Sequence, residues 1–149
     1  MSEIVKTARA YVQNLLTNEL SKEHIYHNWD HTNLVYDEAM SLADAAALNE
    51  EDREILSLAA LFHDTGFVHT YQNHEEGSKK IAAAYFSGIN YPAEKTTKVL
   101  NAIDATKMPH LSTDKIGALL QDADLSNLGM DDWEKFSELI RKERASLTG

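Results

Sequence analysis

The chain has 149 residues, 43% hydrophobic and 26% charged, enough for one compact domain with a core of its own. It has no cysteine, which excludes disulfides, thiolate metal sites and cysteine nucleophiles. With 24 acidic against 14 basic residues the net charge is −10, so a phosphate polymer is repelled at long range and nucleic-acid binding is discounted as the main role.

Helical periodicity dominates, and no stretch alternates as a strand. The N-terminal MSEIVKTARAYVQNLL lacks the basic-then-apolar order of a signal peptide. It predicts an amphipathic helix over about 2–20, with Ile4, Ala8, Tyr11, Val12, Leu15 and Leu16 on the apolar face. Asp30 is the expected cap of a second helix reaching about Leu48, with Leu34, Val35, Ala39 and Leu42 on one face. Asn49 opens a third, whose first-turn acids suit the helix dipole. Its run Ile55–Phe62 is apolar nearly all round, the pattern of a central buried helix, and Gly66 is placed to end it.

A loop at 65–73 then leads into a capping box of Asn73 and Glu76 and a helix to Gly88. Pro92 suits the first turn of a helix to about Lys107, which Pro109 breaks. Ser112 or Thr113 caps the next, carrying Ile116, Leu119, Leu120, Ala123 and Leu128 and stopping near Gly129. A last amphipathic helix covers about Asp131–Ala145. The expected fold is therefore all-α, an irregular bundle of about seven helices in a single domain over 1–149. No apolar run nears the roughly 20 residues of a membrane span. A cytoplasmic protein without membrane contact is expected.

The chemistry concentrates at His63-Asp64, directly after the apolar run LSLAALF. Burying both polar side chains is costly unless something satisfies them, and a divalent metal satisfies both together. The alternative is an ordinary helix end, where His suits the dipole and Asp faces water. YHNWDHT adds His27 and His31; LLQDADLSNLG adds Asp122 and Asp124 within an apolar helix. Neutral nitrogens with carboxylates suit Mn, Fe, Co, Ni, Zn or Mg, and helix bundles build such sites from facing helices. His27 and His31 are spaced like a zinc-protease pair, but Asn28 stands where that motif needs Glu, so His27 is expected either to support the ligands from behind or to line the pocket. His24 and His69 have no motif partner and are expected at the surface.

In YHNWDHT, AALFHDTG and DADLSNLG, over roughly residues 24–130, the chain resembles the HD-domain superfamily of metal-dependent phosphohydrolases. The resemblance implies an all-helical fold and an ordered ligand set of His31, His63, Asp64 and Asp124. It favours Asp124 over Asp122, and geometry agrees that only one points inward, since residues two apart lie about 200° apart around a helix. Asp122 is expected to face solvent. The segment NHEEGSKKIA resembles one that supplies a further His in dinuclear members, and IDATKMPH another, which makes His74 and His110 candidates for a second ion. One or two divalent ions per chain are thus implied.

The resemblance implies hydrolysis of a small phosphate ester, a nucleotide or similar, with the ion activating water and with His63 and Asp64 at the catalytic centre. The alternatives are a non-catalytic metal or nucleotide sensor of the same type, or a di-iron oxygenase. Glu75 and Glu76 are placed to orient a water or a ligand. Lys79, Lys80, Lys107 and the segment Arg141, Lys142 and Arg144 are candidate phosphate contacts, each equally readable as a solvated surface cation. Related proteins often continue with more helix beyond the point where IRKERASLTG ends this sequence.

Overall fold

A helix without a polar face is satisfied only at the centre of a fold. The computed structural model, which describes residues 2–107, 114–126 and 133–148 and their side chains apart from Trp133 and Phe136, has one such helix at its centre. It is α3 (Glu50–Phe62), and every residue from 55 to 67 is buried. Around it stand α1 (Glu3–Glu19), α2 (Trp29–Ala45), α4 (His74–Gly88), α5 (Ala93–Asp104) and α6 (Lys115–Leu125), all packed on α3; α7 (Trp133–Thr148) completes the set. The fold is all-α, with seven α-helices and no strand among the described residues. Leu56, Leu58, Leu61 and Phe62 are fully buried, each contributing about 1.5–3 kcal/mol against leaving it exposed. No helix among the described residues is long and apolar enough to cross a membrane.

Several boundaries differ from the sequence expectation for local reasons. Asn28, not Asp30, caps α2: its extended backbone lets its side chain accept from the amides of Asp30 and His31. Asp30 instead lies in the first turn, where a carboxylate suits the dipole. α2 ends at Ala45, and Ala47 takes a left-handed conformation with φ 52°. Asn73 is also left-handed and makes no side-chain cap, so the expected capping box does not form; Glu76 pairs with Lys79 and Lys107 instead. Asp114 caps α6 through the Gly117 amide. Ser112, Thr113, Pro109 and Gly129 lie outside the described residues.

Gly66 has a different purpose from the expected helix stop. The loop foreseen at 65–73 begins with a 3₁₀ turn, Thr65–Val68, pressed against α4. A Cβ at Gly66 would stand 1.9 Å from the His74 carbonyl oxygen and 2.6 Å from the Ser78 nitrogen. Only glycine permits that approach. Ser78 then locks it, accepting from the Gly66 amide and donating to the His63 carbonyl, both at 2.8 Å. The close contact fixes the chain just after α3 and brings His74 beside it.

Candidate metal centre

Three helices deliver the four residues of the cluster. His31 comes from the first turn of α2, oriented by the Asn28 cap. His63 and Asp64 follow α3, where Thr65 Oγ1 and Ser78 Oγ donate to the carbonyls of Phe62 and His63 at the helix end. Asp124 lies near the end of α6, which packs on both α2 and α3. The result places one ligand atom from each of His31, His63, Asp64 and Asp124 within 4.8 Å of one another. His31 Nε2 is 3.2 Å from Asp124 Oδ1 and 3.4 Å from Asp64 Oδ2. His63 Nε2 is 3.2 Å and 3.3 Å from the same two oxygens.

These spacings suit a shared cation. Metal–ligand bonds of 2.0–2.1 Å put neighbouring ligand atoms about 3.0 Å apart in an octahedron and about 3.4 Å apart in a tetrahedron. Asp64 Oδ2, aimed into the cluster, is buried without a hydrogen bond among the described residues. Such an atom is costly unless an ion satisfies it. His63 Nδ1 lies 2.6 Å from the Ala60 carbonyl, which takes its hydrogen and leaves the Nε2 lone pair for a cation. Nitrogen and oxygen donors without sulfur suit a hard or borderline divalent ion.

The electrostatics of the cluster without an ion follow from its geometry. Burial opposes a charge on His63, but the carboxylates of Asp64 and Asp124 outweigh it and hold the imidazole well above its ordinary value. Burial likewise opposes ionisation of Asp64, yet His63 and the hydrogen bond from His74 hold its carboxyl well below the usual range. Asp124 is lowered in the same way by His63 and His31. The cluster is a pair of carboxylates held ionised beside a raised imidazole, whose proton a divalent cation can displace.

His74 stands on the other side of Asp64, its Nε2 3.1 Å from Oδ1 and its ring stacked on Phe67 at 3.8 Å. Asp64 therefore has one oxygen toward the four-residue cluster and one toward His74. Glu75 lies 3.6 Å from His74 Nδ1, whereas Glu76 is tied up with lysines away from the cavity. His110 lies outside the described residues. Asp122 and His69 are exposed, as expected.

Two features were missed in the sequence. His24, expected at the surface, is 5% exposed, with its ring beside Phe67. Glu143 is fully buried. It accepts from the amides of Tyr26 and His27 at 2.7 and 2.8 Å and from His27 Nδ1 at 2.6 Å. The signal was present in α7: Phe136, Ile140 and Leu147 mark an apolar stripe at helical spacing, and Glu143 occupies a position on it. With Nδ1 taken by Glu143, His27 has Nε2 left on the wall of the cavity. That cavity, about 770 Å³, is lined by the cluster residues His31, Asp64 and Asp124 together with His27, His74 and residues of α7.

No curated protein and no solved structure matches this chain. The sequence model of the HD domain family matches residues 28–142, a span that holds His31, His63, Asp64 and Asp124. With this match over most of its length, and with the His and Asp residues of that span gathered into a group able to hold a metal ion, the chain belongs to the HD domain family.

Proposed function

We propose that the protein is a metal-dependent phosphohydrolase acting on a small phosphate ester, and that His31, His63, Asp64 and Asp124 hold its divalent ion. The observation that carries this is the convergence of four ligand atoms at one end of a large cavity, among them a buried carboxylate oxygen without a hydrogen bond among the described residues. A bound divalent ion supplies Lewis acidity, acidifying water and polarising a phosphoryl oxygen.

The chain's own residues do the rest. Asp64 would hold the ion through one oxygen and keeps the other toward His74, where the pair is placed to orient the attacking water and the imidazole to take up its proton. His27, its Nδ1 anchored on Glu143, presents Nε2 as the proton donor to the leaving oxygen. Water adds to phosphorus, the ester P–O bond breaks, and the alcohol leaves protonated. Phe67 and Tyr26 exclude bulk water from one side of this space. The four-residue set is complete for one ion. Asp64 Oδ1 and His74 Nε2 supply two donors of a second set, so the metal count separates mononuclear from dinuclear chemistry.

The test is elemental analysis of the purified protein, followed by turnover of a panel of phosphomonoesters and phosphodiesters with the identified metal restored. Turnover that is lost on chelation and regained on reloading supports the reading. A stoichiometrically loaded protein that hydrolyses none of them instead favours a metal-dependent sensor.

A further inference from the structure

Six cations in the sequence are candidates for phosphate contact, and the structure separates them. Lys79 is paired with Glu76 and Asp104, and Lys107 with Glu76. Arg141 and Lys142 are both drawn to Glu138. Lys80 lines two other cavities, one with Lys79 and Asp104 and one with His69 and Asn73. Arg144 alone among them lines the cavity of the cluster, and among the described residues it is the one Lys or Arg that does.

Its position relative to the cluster is graded. Asp64 hydrogen-bonds His74, His74 stacks on Phe67, and the Phe67 ring centroid is 5.4 Å from that of Tyr71. Arg144 lies near enough to Tyr71 for its charge to pull the phenol's pKa down against the larger effect of burial. Asp64 and Phe67 are buried, His74 and Tyr71 are half-buried, and Arg144 is exposed with Gln72 and Thr148 at the cavity's rim. Arg144 thus lies at the rim of the cavity that the cluster lines, with Tyr71 and Phe67 between it and His74. The adjacent Glu143 holds this part of α7 in place through its three hydrogen bonds to residues 26 and 27. A guanidinium at the end of an aromatic wall suits a planar spacer carrying a carboxylate or phosphate, which it can grip with two parallel hydrogen bonds.

Resting on the phosphohydrolase reading above, we propose that Arg144 is a specificity-determining residue. It binds a second anionic group of the substrate, distal to the phosphoryl group at the metal cluster. The substrate class is then a phosphate ester whose alcohol portion itself carries a carboxylate or phosphate across a flat apolar spacer.

The test uses two non-hydrolysable probes, benzylphosphonate and 4-carboxybenzylphosphonate, titrated calorimetrically into the metal-loaded protein. The wild type is expected to prefer the carboxylated probe by about tenfold or more. In R144A and R144Q the ratio of affinities collapses towards unity, and R144K retains part of it. Circular dichroism and metal content of each variant establish that the fold and cluster persist. Equal affinities in the wild type, or a preference that survives in R144A, overturn the role of Arg144. Failure of both probes to bind the loaded wild type instead overturns the phosphoester reading on which it rests.

Discussion

Glu143 Oε1 lies 2.6 Å from His27 Nδ1, a contact that joins the last helix to the wall of the metal cavity across 116 residues of chain. Burial opposes ionisation of Glu143, but its bonds to the His27 side chain and to the amides of Tyr26 and His27 outweigh it and hold the carboxyl below its usual value. A lowered carboxyl contributes stability above its unfolded pKa and loses that contribution as pH falls through the folded one. Burial also opposes charging of His27, and the Glu143 hydrogen bond with the Asp64 charge raises its pKa nonetheless. That contribution is present in acid and lost as pH rises through the raised value.

Replacing Glu143 should therefore destabilise the protein most near neutrality. E143A leaves two amides and an imidazole without their acceptor, costing about 3 kcal/mol. E143Q keeps an acceptor for the amides and costs about 1 kcal/mol. Thermal unfolding of metal-free protein between pH 7 and pH 3 checks this. The gap between wild type and either variant narrows as pH falls through the lowered Glu143 value. A gap independent of pH contradicts the ionised pair.

Gly66 and Gly88 make opposite predictions. G66A drives a methyl group into the backbone of α4 at His74 and Ser78 and should cost about 3 kcal/mol or more, since the obstructing atoms are main chain. At Gly88, the last residue of α4, a Cβ meets nothing within 4 Å. G88A should be neutral or gain up to about 1 kcal/mol from helix propensity. Melting temperatures of the two variants decide it. Equal effects would mean that the tight contact between the 3₁₀ turn and α4 is not what holds the turn.

Metal binding must compete with protons. In the metal-free cluster His63 is raised by Asp64 and Asp124, so a cation displaces a proton from it. Affinity for Mn²⁺ or Zn²⁺ should rise with pH until it passes the raised His63 value, with protons released into buffer on binding. Calorimetry in buffers of different ionisation enthalpy measures that release. No proton release at pH 6 contradicts a His63 that is charged without metal.

Loading should also raise stability through linkage, by about 2.7 kcal/mol at a metal concentration 100 times Kd. For a chain of 149 residues that is roughly 5–10 °C in Tm. Chelation should reverse it, as differential scanning fluorimetry would show. A Tm indifferent to metal would mean that the folded protein binds no ion in preference to the unfolded chain.

The central helix was legible because a run apolar on all sides, Ile55–Phe62, has one place to go. His63 and Asp64 were legible because two polar residues abut that run, while His31 and Asp124 were named as their companions by the resemblance in YHNWDHT and DADLSNLG. Caps were read less well. Asn28 and Asp30, two residues apart, are both good N-cap types, and only the backbone conformation of Asn28 decides between them. Asn73 and Glu76 have the spacing of a capping box, but the left-handed Asn73 turns its side chain away and lysines claim Glu76. Gly66 was noticed for the wrong reason, because a close backbone approach from residues 74–78 leaves no local mark. Glu143 went unnoticed because its partners lie in a loop 116 residues earlier. His24 was misplaced for the same reason, its burial coming from Phe67, Tyr71 and Glu143 rather than from its neighbours in sequence.

The most direct test is calorimetric titration of a divalent metal into the metal-free wild type and into H31A, H63A, D64A and D124A, with H69A and D122A as exposed controls. Stoichiometric binding to wild type and both controls is predicted, with affinity weakened more than about 100-fold in each of the four variants. Undiminished affinity in folded H63A or D64A would contradict it.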